Sequence, residues 1–223
     1  MKCHYFLLLL CSMPMFAKVT DEPQEIELKF KLPSPSLGEF KQAVLPKTSA
    51  PVTMRETYFM GPELQPACKN GYKNMPHYLR LRETNKGSFL TLKKRSLDGV
   101  VEYETKIDAP AMMVSILHTL GYGTDESDVV RLNKQRTKCN VSFEGHQIEV
   151  VFDTFTEPAH MKDMGEFTEI ELKSAVPSYQ EGMIVLKRFL RAQGITEIDV
   201  YPPYVELAIN GQCAEQVQHL DLR

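Results

Sequence analysis

Residues 25–31 read Glu-Ile-Glu-Leu-Lys-Phe-Lys, and charged and apolar side chains alternate along them. Successive side chains of a β-strand point to opposite faces, so this stretch predicts a strand with one charged face and one apolar face. The pentapeptide Glu-Ile-Glu-Leu-Lys recurs without change at residues 169–173. One strand near the start of the chain and one near its end therefore present the same pair of carboxylates, and we expect the two strands to meet in space.

The composition is that of one ordinary globular domain. The chain has 223 residues, of which 43% are hydrophobic and 25% are charged, enough apolar material for a core. The net charge of −3 gives no electrostatic reason to expect a nucleic acid as partner. The sequence carries no signal for a particular oligomeric state.

The first 17 residues have the pattern of an export signal. Lys2 precedes an apolar run from Phe6 to Ala17, which is too short to span a bilayer but has the length of a signal-peptide core. Residues 1–17 are therefore interpreted as a signal peptide or an apolar leader, with no stable membrane span in the mature chain. We expect a periplasmic or secreted protein, or a cytoplasmic one if the leader is not functional. A single domain is predicted over residues 24–210.

The rest of the chain predicts a mainly β fold of the α+β class. Asn-Lys-Gly at residues 85–87 and Asp-Gly at residues 98–99 indicate hairpins within an antiparallel meander. An apolar stripe from Met112 to Leu120 predicts a helix that packs on the core. Strands are predicted at about 25–32, 52–60, 77–83, 88–95, 101–107, 127–139, 140–153 and 166–174, and the main helices at about 110–120 and 178–193.

The charged faces of these strands sort by sign. Several of these positions carry arginine, although lysine would be enough for solubility. The planar guanidinium group of arginine can form two parallel hydrogen bonds to a phosphate group. Two interpretations are open: charged outer faces around an ordinary sandwich, or a closed barrel with a charged lumen. The alternating groups are Arg80 with Arg82, Lys93 with Arg95, Glu102 with Glu104 and Lys106, Lys134 with Arg136 and Lys138, and Glu149 with Asp153.

A lumen with an acidic and a basic wall is costly unless a ligand compensates the charges. A polyphosphate with a divalent metal would do so, because its oxygens pair with arginine and lysine while its metal pairs with carboxylates. Hard oxygen ligands favour Mg²⁺ or Mn²⁺, and the lack of histidine in the clusters disfavours zinc. This chemistry is metal-assisted hydrolysis or transfer of a phosphoryl group. The predicted metal ligands are Glu25, Glu27, Glu169, Glu171 and Asp153.

Several motifs together resemble the CYTH superfamily, also called triphosphate tunnel metalloenzymes. Glu25-x-Glu27-x-Lys29 is similar to the ExExK signature on the first strand of that family. Further matching segments follow in the family's order: Arg80-x-Arg82, Lys93, Lys134-x-Arg136, Asp153, Gly-Glu-Phe-x-Glu-x-Glu at residues 165–171, and Tyr-Val-Glu-Leu at residues 204–207.

The resemblance implies an eight-stranded antiparallel β-barrel that forms a tunnel, with helices packed outside. It assigns catalytic roles to Lys29, Glu27 and Glu171, and metal binding to Glu25, Glu27, Glu169 and Glu171 with Asp153 close by. The side chains expected to bind the triphosphate share a positive charge. They are Lys29, Arg80, Arg82, Lys93, Lys134 and Arg136.

The resemblance also limits the activities to be expected of this protein. Family members include inorganic, thiamine and RNA triphosphatases and class IV adenylate cyclases. We expect a divalent-metal-dependent hydrolase that cleaves the terminal phosphoanhydride bond of a small-molecule triphosphate, either inorganic tripolyphosphate or a nucleoside triphosphate. One alternative is a cyclase that makes cyclic AMP and pyrophosphate from ATP. The other alternative is a polyphosphate-binding module without catalytic activity.

Overall fold

A computed structural model describes residues 24–46, 50–59, 77–96, 99–125, 129–209 and 218–222. The predicted leader and the loop predicted between residues 61 and 76 lie outside the described residues. The strands are β1 (Gln24–Glu25), β2 (Glu27–Lys31), β3 (Val52–Phe59), β4 (His77–Thr84), β5 (Gly87–Ser96), β6 (Gly99–Ile107), β7 (Val129–Phe143), β8 (His146–Glu157), β9 (Glu166–Leu172), β10 (Glu197–Val200) and β11 (Gln218–Asp221). The helices are α1 (Ser36–Val44), α2 (Pro110–Thr119), α3 (Ala159–Asp163), α4 (Tyr179–Ala192) and α5 (Tyr204–Ala208).

All strands belong to one antiparallel sheet with the order β1-β6-β5-β4-β3-β7-β8-β9-β2-β10-β11. Residue 26 alone separates β1 from β2 in the chain. Residues 24–31 therefore border both β6 and β9, which are the first and the last of the seven strands between β1 and β2 in the sheet. At one end β1 pairs with β6 through two residue pairs, and at the other β2 pairs with β9 through four. The sheet therefore curls into a tunnel, which confirms the mainly β, antiparallel fold expected from the sequence.

The two copies of the repeated pentapeptide lie side by side, as expected. They pair antiparallel, with Glu27 opposite Glu171 and Lys29 opposite Glu169. The charged side chains of the two pentapeptide copies line the lumen, and their isoleucine and leucine side chains are buried on the outer face. The antiparallel direction reverses one copy relative to the other, so equal positions in the two copies lie at different depths.

Helices cover the apolar outer face of β2, β8 and β9. The buried residues of α4, including Leu186 and Phe189, pack on the isoleucines of the two pentapeptides, Ile26 and Ile170. A side chain added at Gly182 would place its Cβ 2.5 Å from the Cδ1 atom of Ile26. Glycine therefore allows the helix to approach the sheet closely, and this contact fixes the outer wall of the tunnel.

Helix α2 packs differently from the prediction. Leu117 is buried against Phe59 and Leu81, but Met112, Ile116 and Leu120 are exposed. The predicted core stripe is therefore wrong for these three residues, because the helix touches the sheet along one narrow line. Within the part of the chain that is described, no helix is both long and apolar enough to cross a membrane.

Helix α5 packs across one end of the tunnel. All five of its residues are buried, and the ring of Tyr204 lies edge-on to the rings of Phe155 and Phe167. The inner faces of the strands become apolar at this end, where Leu132 and Tyr58 join the same cluster. The tunnel thus has an apolar floor beneath its charged lumen.

Candidate active site

Charged side chains from the inner faces of the strands enclose a cavity of about 210 Å³. The charged lumen predicted by the alternation along the strands is therefore present. Its acidic side chains are Glu25, Glu27, Glu102, Glu104, Glu149, Glu169 and Glu171. Its basic side chains are Lys29, Arg80, Arg82, Lys93, Arg136, Lys138 and Lys173.

Glu56 on β3 orients the two arginines of β4. Its side chain is fully buried, and Oε1 accepts a hydrogen bond from Nε of Arg82 at 2.8 Å and lies 3.8 Å from Nη1 of Arg80. The Tyr58 hydroxyl donates to Oε2 at 3.0 Å, and Nζ of Lys134 lies 3.4 Å away. Burial raises the pKa of Glu56, but the surrounding cations outweigh burial and hold the pKa well below its usual range. Glu56 therefore stays ionised, holds the Arg82 guanidinium by a hydrogen bond and attracts the Arg80 guanidinium electrostatically.

Arg80 is held from several sides, yet one of its donors lacks an acceptor. Its Nη2 donates to Oγ1 of Thr91 at 3.2 Å and lies 3.6 Å from Glu104 and 3.7 Å from Glu102. The buried Nε has no hydrogen-bond partner among the described residues. A buried unpaired donor is costly, and an anion that drew the guanidinium toward it would remove that cost. This is the behaviour expected of a phosphate-binding arginine.

Three carboxylates form a row across neighbouring strands. Glu27 is directly opposite Glu171, and Glu171 is directly opposite Glu149. Like charges in such positions destabilise a sheet. Lys173 and Lys138 offset part of the repulsion, at 2.6 Å from Glu171 and 2.7 Å from Glu149. Burial raises the pKa of Glu171 and the charge of Glu27 adds to that effect, although Lys173 opposes it. The row is a wall that would attract a cation.

Glu25 and Glu102 share the ammonium group of Lys93. The Nζ atom lies 2.5 Å from Oε2 of Glu25 and 2.7 Å from Oε2 of Glu102. Burial, aided by the charge of Glu27, raises the pKa of Glu25 to about 8 although Lys93 opposes it. Burial also acts upward on Glu102, but Lys93 and Arg80 hold the pKa of that carboxyl at about 2. As the pH falls, Glu25 is therefore protonated before Glu102.

Deeper in the lumen, Glu169 lies between two cations. Nζ of Lys29 lies 2.8 Å from its Oε1, and Nη2 of Arg136 donates to its Oε2 at 2.6 Å. Burial raises the pKa of Glu169, but Lys29 and Arg136 outweigh burial and hold it well below the usual range. Burial lowers the pKa of Lys29, yet the charges of Glu169 and Glu27 raise it overall. Lys29 therefore stays cationic, 4.3 Å from the centre of the Tyr204 ring.

Asp153 and Lys134 lie beneath the cavity and do not line it. Asp153 is fully buried and accepts two hydrogen bonds from Arg136, one of them from Nε at 2.8 Å. Nζ of Lys134 lies 3.2 Å from Asp153 and 3.4 Å from Glu56. Burial, together with the charge of Arg136, lowers the pKa of Lys134 to about 8. These contacts orient Arg136 and Glu56, while metal binding by Asp153 and triphosphate binding by Lys134 stay predictions.

The donor set fits a hard divalent cation. Among the described residues, no three side chains of the ligand type already converge on one point. Mg²⁺ commonly uses one or two protein carboxylates and takes its other ligands from phosphate oxygens and water. The adjacent Glu27 and Glu171 supply such a pair, and their side chains are 26% and 22% exposed. A cation at this wall would also relieve the repulsion between them.

Most residues with predicted roles therefore line one cavity. No role was predicted for Glu56, and none beyond a charged strand face was predicted for Glu149. One signal was available for Glu56, because it alternates with Met54 and Tyr58 on a strand face that otherwise reads as apolar. A single carboxylate on such a face needs buried cationic partners. The predicted residues that line the cavity are Glu25, Glu27, Lys29, Arg80, Arg82, Lys93, Arg136, Glu169 and Glu171.

Several solved structures share this fold. The PH1819 protein from Pyrococcus horikoshii OT3 is 21% identical, with 82% of this chain and 97% of that chain covered and a TM-score of 0.61. A conserved hypothetical protein from Pyrococcus furiosus is 22% identical, with 82% and 99% covered and a TM-score of 0.58. A candidate adenylate cyclase from Bacillus halodurans is 16% identical, with 81% and 94% covered and a TM-score of 0.53. At these identities the likeness establishes the fold alone.

No curated protein matches the chain. The sequence model of the CYTH domain matches residues 23–199, which include β1 to β9 and α4. The matched region contains every residue to which the sequence analysis assigned a catalytic, metal-binding or triphosphate-binding role. With a family match over most of its length and the corresponding tunnel fold, this chain belongs to the CYTH domain family.

Proposed function

We propose that this protein is a divalent-metal-dependent hydrolase that cleaves the terminal phosphoanhydride bond of triphosphate compounds. One observation carries the proposal: a single cavity brings together two adjacent carboxylates, Glu27 and Glu171, which we call the acidic wall, and clustered arginine and lysine side chains, which we call the basic wall. A metal–triphosphate complex carries both complementary charges. Its substrates are inorganic tripolyphosphate or nucleoside triphosphates.

The basic wall would bind the phosphate chain and stabilise charge in the transition state. Arg80 and Arg82 are preorganised by Glu56, so little reorganisation is needed when the substrate enters. Lys29, Lys93 and the remaining basic groups are now paired with carboxylates of the same cavity. The charges of the site thus neutralise one another, and substrate oxygens would compete with those carboxylates for the cations.

The acidic wall would hold the metal. Enzymes of the CYTH family generally use divalent metal ions, and the all-oxygen donor set favours Mg²⁺ or Mn²⁺. Glu27 and Glu171 would ligate the ion, with Glu25 and Glu169 as further candidates once substrate releases them from Lys93 and Lys29. When bound, such an ion neutralises charge on the phosphoryl oxygens.

In the reaction, the oxygen of a water molecule forms a bond with the terminal phosphorus. The bond between that phosphorus and the bridging oxygen breaks, the electron pair stays on the bridging oxygen, and orthophosphate and a diphosphate compound are released. The arginine and lysine side chains of the basic wall stabilise the negative charge that develops on the leaving diphosphate.

The test is a substrate panel with purified protein and either Mg²⁺ or Mn²⁺. Tripolyphosphate, ATP, GTP and thiamine triphosphate are assayed for orthophosphate, pyrophosphate and cyclic AMP. We expect metal-dependent release of orthophosphate. Cyclic AMP with pyrophosphate from ATP would show the cyclase instead, and metal-independent binding without turnover would show a binding module.

We also propose that residues 1–17 direct export. The full chain is produced in a host with a secretion pathway, and the mass of the N-terminal peptide is measured. A mature N-terminus near residue 18 supports the proposal, whereas an intact Met1 in soluble protein from the cytoplasm contradicts it.

A further inference from the structure

A second cavity of about 470 Å³ adjoins the charged cavity and has a different chemical character. The two share the side chains of Met54, Arg82, Glu104, Arg136 and Lys138, so the cavities are direct neighbours. The second cavity lies on the side of the tunnel opposite the apolar floor. At this side β3 and β5 begin and β4 ends. We call it the vestibule.

The inner faces of β3 and β5 carry apolar side chains in the vestibule, and the same faces carry polar or charged side chains deeper in the tunnel. On β3, Val52 and Met54 occupy the face that continues with the buried Glu56. On β5, Phe89 occupies the face that continues with Thr91 and Lys93. Alternation makes these side chains point into the tunnel. The apolar side chains in this position offer nothing to a bare phosphate chain, which is recognised by charge and hydrogen bonds alone.

Phe89 is placed to meet a group attached to a bound phosphate. It pairs directly with Arg82 on one side and with Lys106 on the other. Side chains in such positions lie about 5 Å apart at their Cβ atoms. An organic group whose phosphate is bound by Arg82 would therefore reach the ring of Phe89 without crossing the charged cavity.

We infer that the vestibule is a subsite for the aromatic base of a nucleoside triphosphate, with Phe89 as the stacking side chain and Val52 and Met54 as the apolar side. The inference rests on the proposed function and deepens it, because it selects nucleoside triphosphates over inorganic tripolyphosphate. Base stacking on an aromatic side chain is tolerant of base identity. We therefore expect a preference for the presence of a base and a weak preference among bases.

The test compares ATP with tripolyphosphate for the wild type, Phe89→Ala and Phe89→Tyr. Removal of a stacking ring costs about 1–3 kcal/mol, which corresponds to a roughly 5- to 150-fold loss. We expect Phe89→Ala to lose that factor in kcat/KM for ATP and to keep tripolyphosphate hydrolysis within about twofold, while Phe89→Tyr retains both. Unchanged tripolyphosphate hydrolysis also shows that the variant is folded.

Tyr103→Ala is the matched control, because Tyr103 is an aromatic residue on the neighbouring strand β6 that is 45% exposed and absent from the vestibule lining. It should leave both substrates unchanged. An equal loss for ATP and tripolyphosphate in Phe89→Ala would overturn the subsite, since the ring would then act only through the fold. A wild type that hydrolyses tripolyphosphate better than ATP would overturn it as well.

Failure of the proposed function is distinguishable from failure of the subsite. If the wild type hydrolyses neither compound, the hydrolase proposal fails and binding becomes the readout. The affinities of a non-hydrolysable ATP analogue and of tripolyphosphate are then measured by calorimetry with Mg²⁺. Weaker binding of the analogue alone to Phe89→Ala supports the subsite, and equal binding to the wild type and the variant overturns it.

Discussion

The two copies of Glu-Ile-Glu-Leu-Lys have one sequence and two environments. Lys29, at the end of the first copy, is 6% exposed and lies against Glu169, whereas Lys173, at the end of the second, is 42% exposed and lies against Glu171 of its own strand. The cause is the antiparallel pairing, which directs the end of the first copy inward and the end of the second outward. The role of a motif in this tunnel therefore depends on the direction of its strand.

The outer faces of the two copies, by contrast, are equivalent. Ile26 and Ile170 are both buried beneath helices, as are Leu28 and Leu172. Hydrophobic burial does not depend on strand direction, because apolar contacts lack the polarity of an ion pair. The comparison therefore predicts unequal effects for substitutions inside the tunnel and equal effects outside it.

The largest contrast is expected between Lys29→Ala and Lys173→Ala. Loss of Lys29 removes a cation from the deep basic wall, where it would stabilise the transferred phosphoryl group, so kcat/KM should fall by about 10²- to 10³-fold. Lys173→Ala should change it by less than about threefold, because exposed ion pairs are weak. Steady-state kinetics of both variants measure the contrast, with circular dichroism as the check on folding. Equal losses of kcat/KM in the two variants would mean that the depth of a lysine in the tunnel does not determine its role in catalysis.

A smaller but more specific effect is expected for Glu27→Gln. The amide keeps the shape of the side chain and removes one charge from the carboxylate row. Loss of a residue that only supports a metal ligand costs about 10- to 100-fold in affinity, so loss of a direct ligand should lower Mn²⁺ affinity by at least about 10-fold and turnover with it. Glu144→Gln is the control, since Glu144 lies in the exposed turn between β7 and β8, bound to Arg188. Titration with Mn²⁺ followed by electron paramagnetic resonance measures the affinity. Unfolding of Glu27→Gln would instead show that the carboxylate is structural.

The first copy should also confer a pH dependence through Glu25, whose counterpart in the second copy, Glu169, has a pKa below its usual range. The pKa of Glu25 rises from 4.5 to about 8 on folding, so between these values the folded chain binds more protons there than the unfolded chain. The contribution of Glu25 to stability is therefore lost as pH rises through this window. The free energy of unfolding of the metal-free wild type should decline relative to Glu25→Gln over the same window. Parallel pH profiles in urea would contradict the assignment.

The smallest effects are expected on the outer faces. Ile26→Val and Ile170→Val each delete one buried methylene, and each should lower the free energy of unfolding by about 0.5–1.5 kcal/mol. Both variants should keep kcat/KM within about twofold, because neither residue faces the lumen. Urea unfolding and steady-state assays provide the two readouts. Costs that differed several-fold between the isoleucines would end the claim that the outer faces are equivalent.

Much of the tunnel could be predicted because its strands alternate in residue type. Alternation identifies the lumen face of Arg80, Arg82 and Lys93 without knowledge of their neighbours. Helical periodicity predicted less well for α2, where the apolar stripe from Met112 to Leu120 meets the sheet mainly along Leu117. A helical period shows which residues share a face, but the width of the contact depends on the shape of the packed surface.

From the sequence alone it could be predicted that two identical charged strands meet, that their apolar sides face helices, and that each strand has one charged face, while a sandwich and a barrel both stayed open. These features follow from side-chain period and hydrophobicity, which are local properties. Tertiary structure decided depth and partnership: Lys29 inward and Lys173 outward, Glu56 as the buried anchor of two arginines, Asp153 beneath the cavity, and Phe89 at its mouth. These depend on strand direction and register, which are set by pairing between residues far apart in the chain.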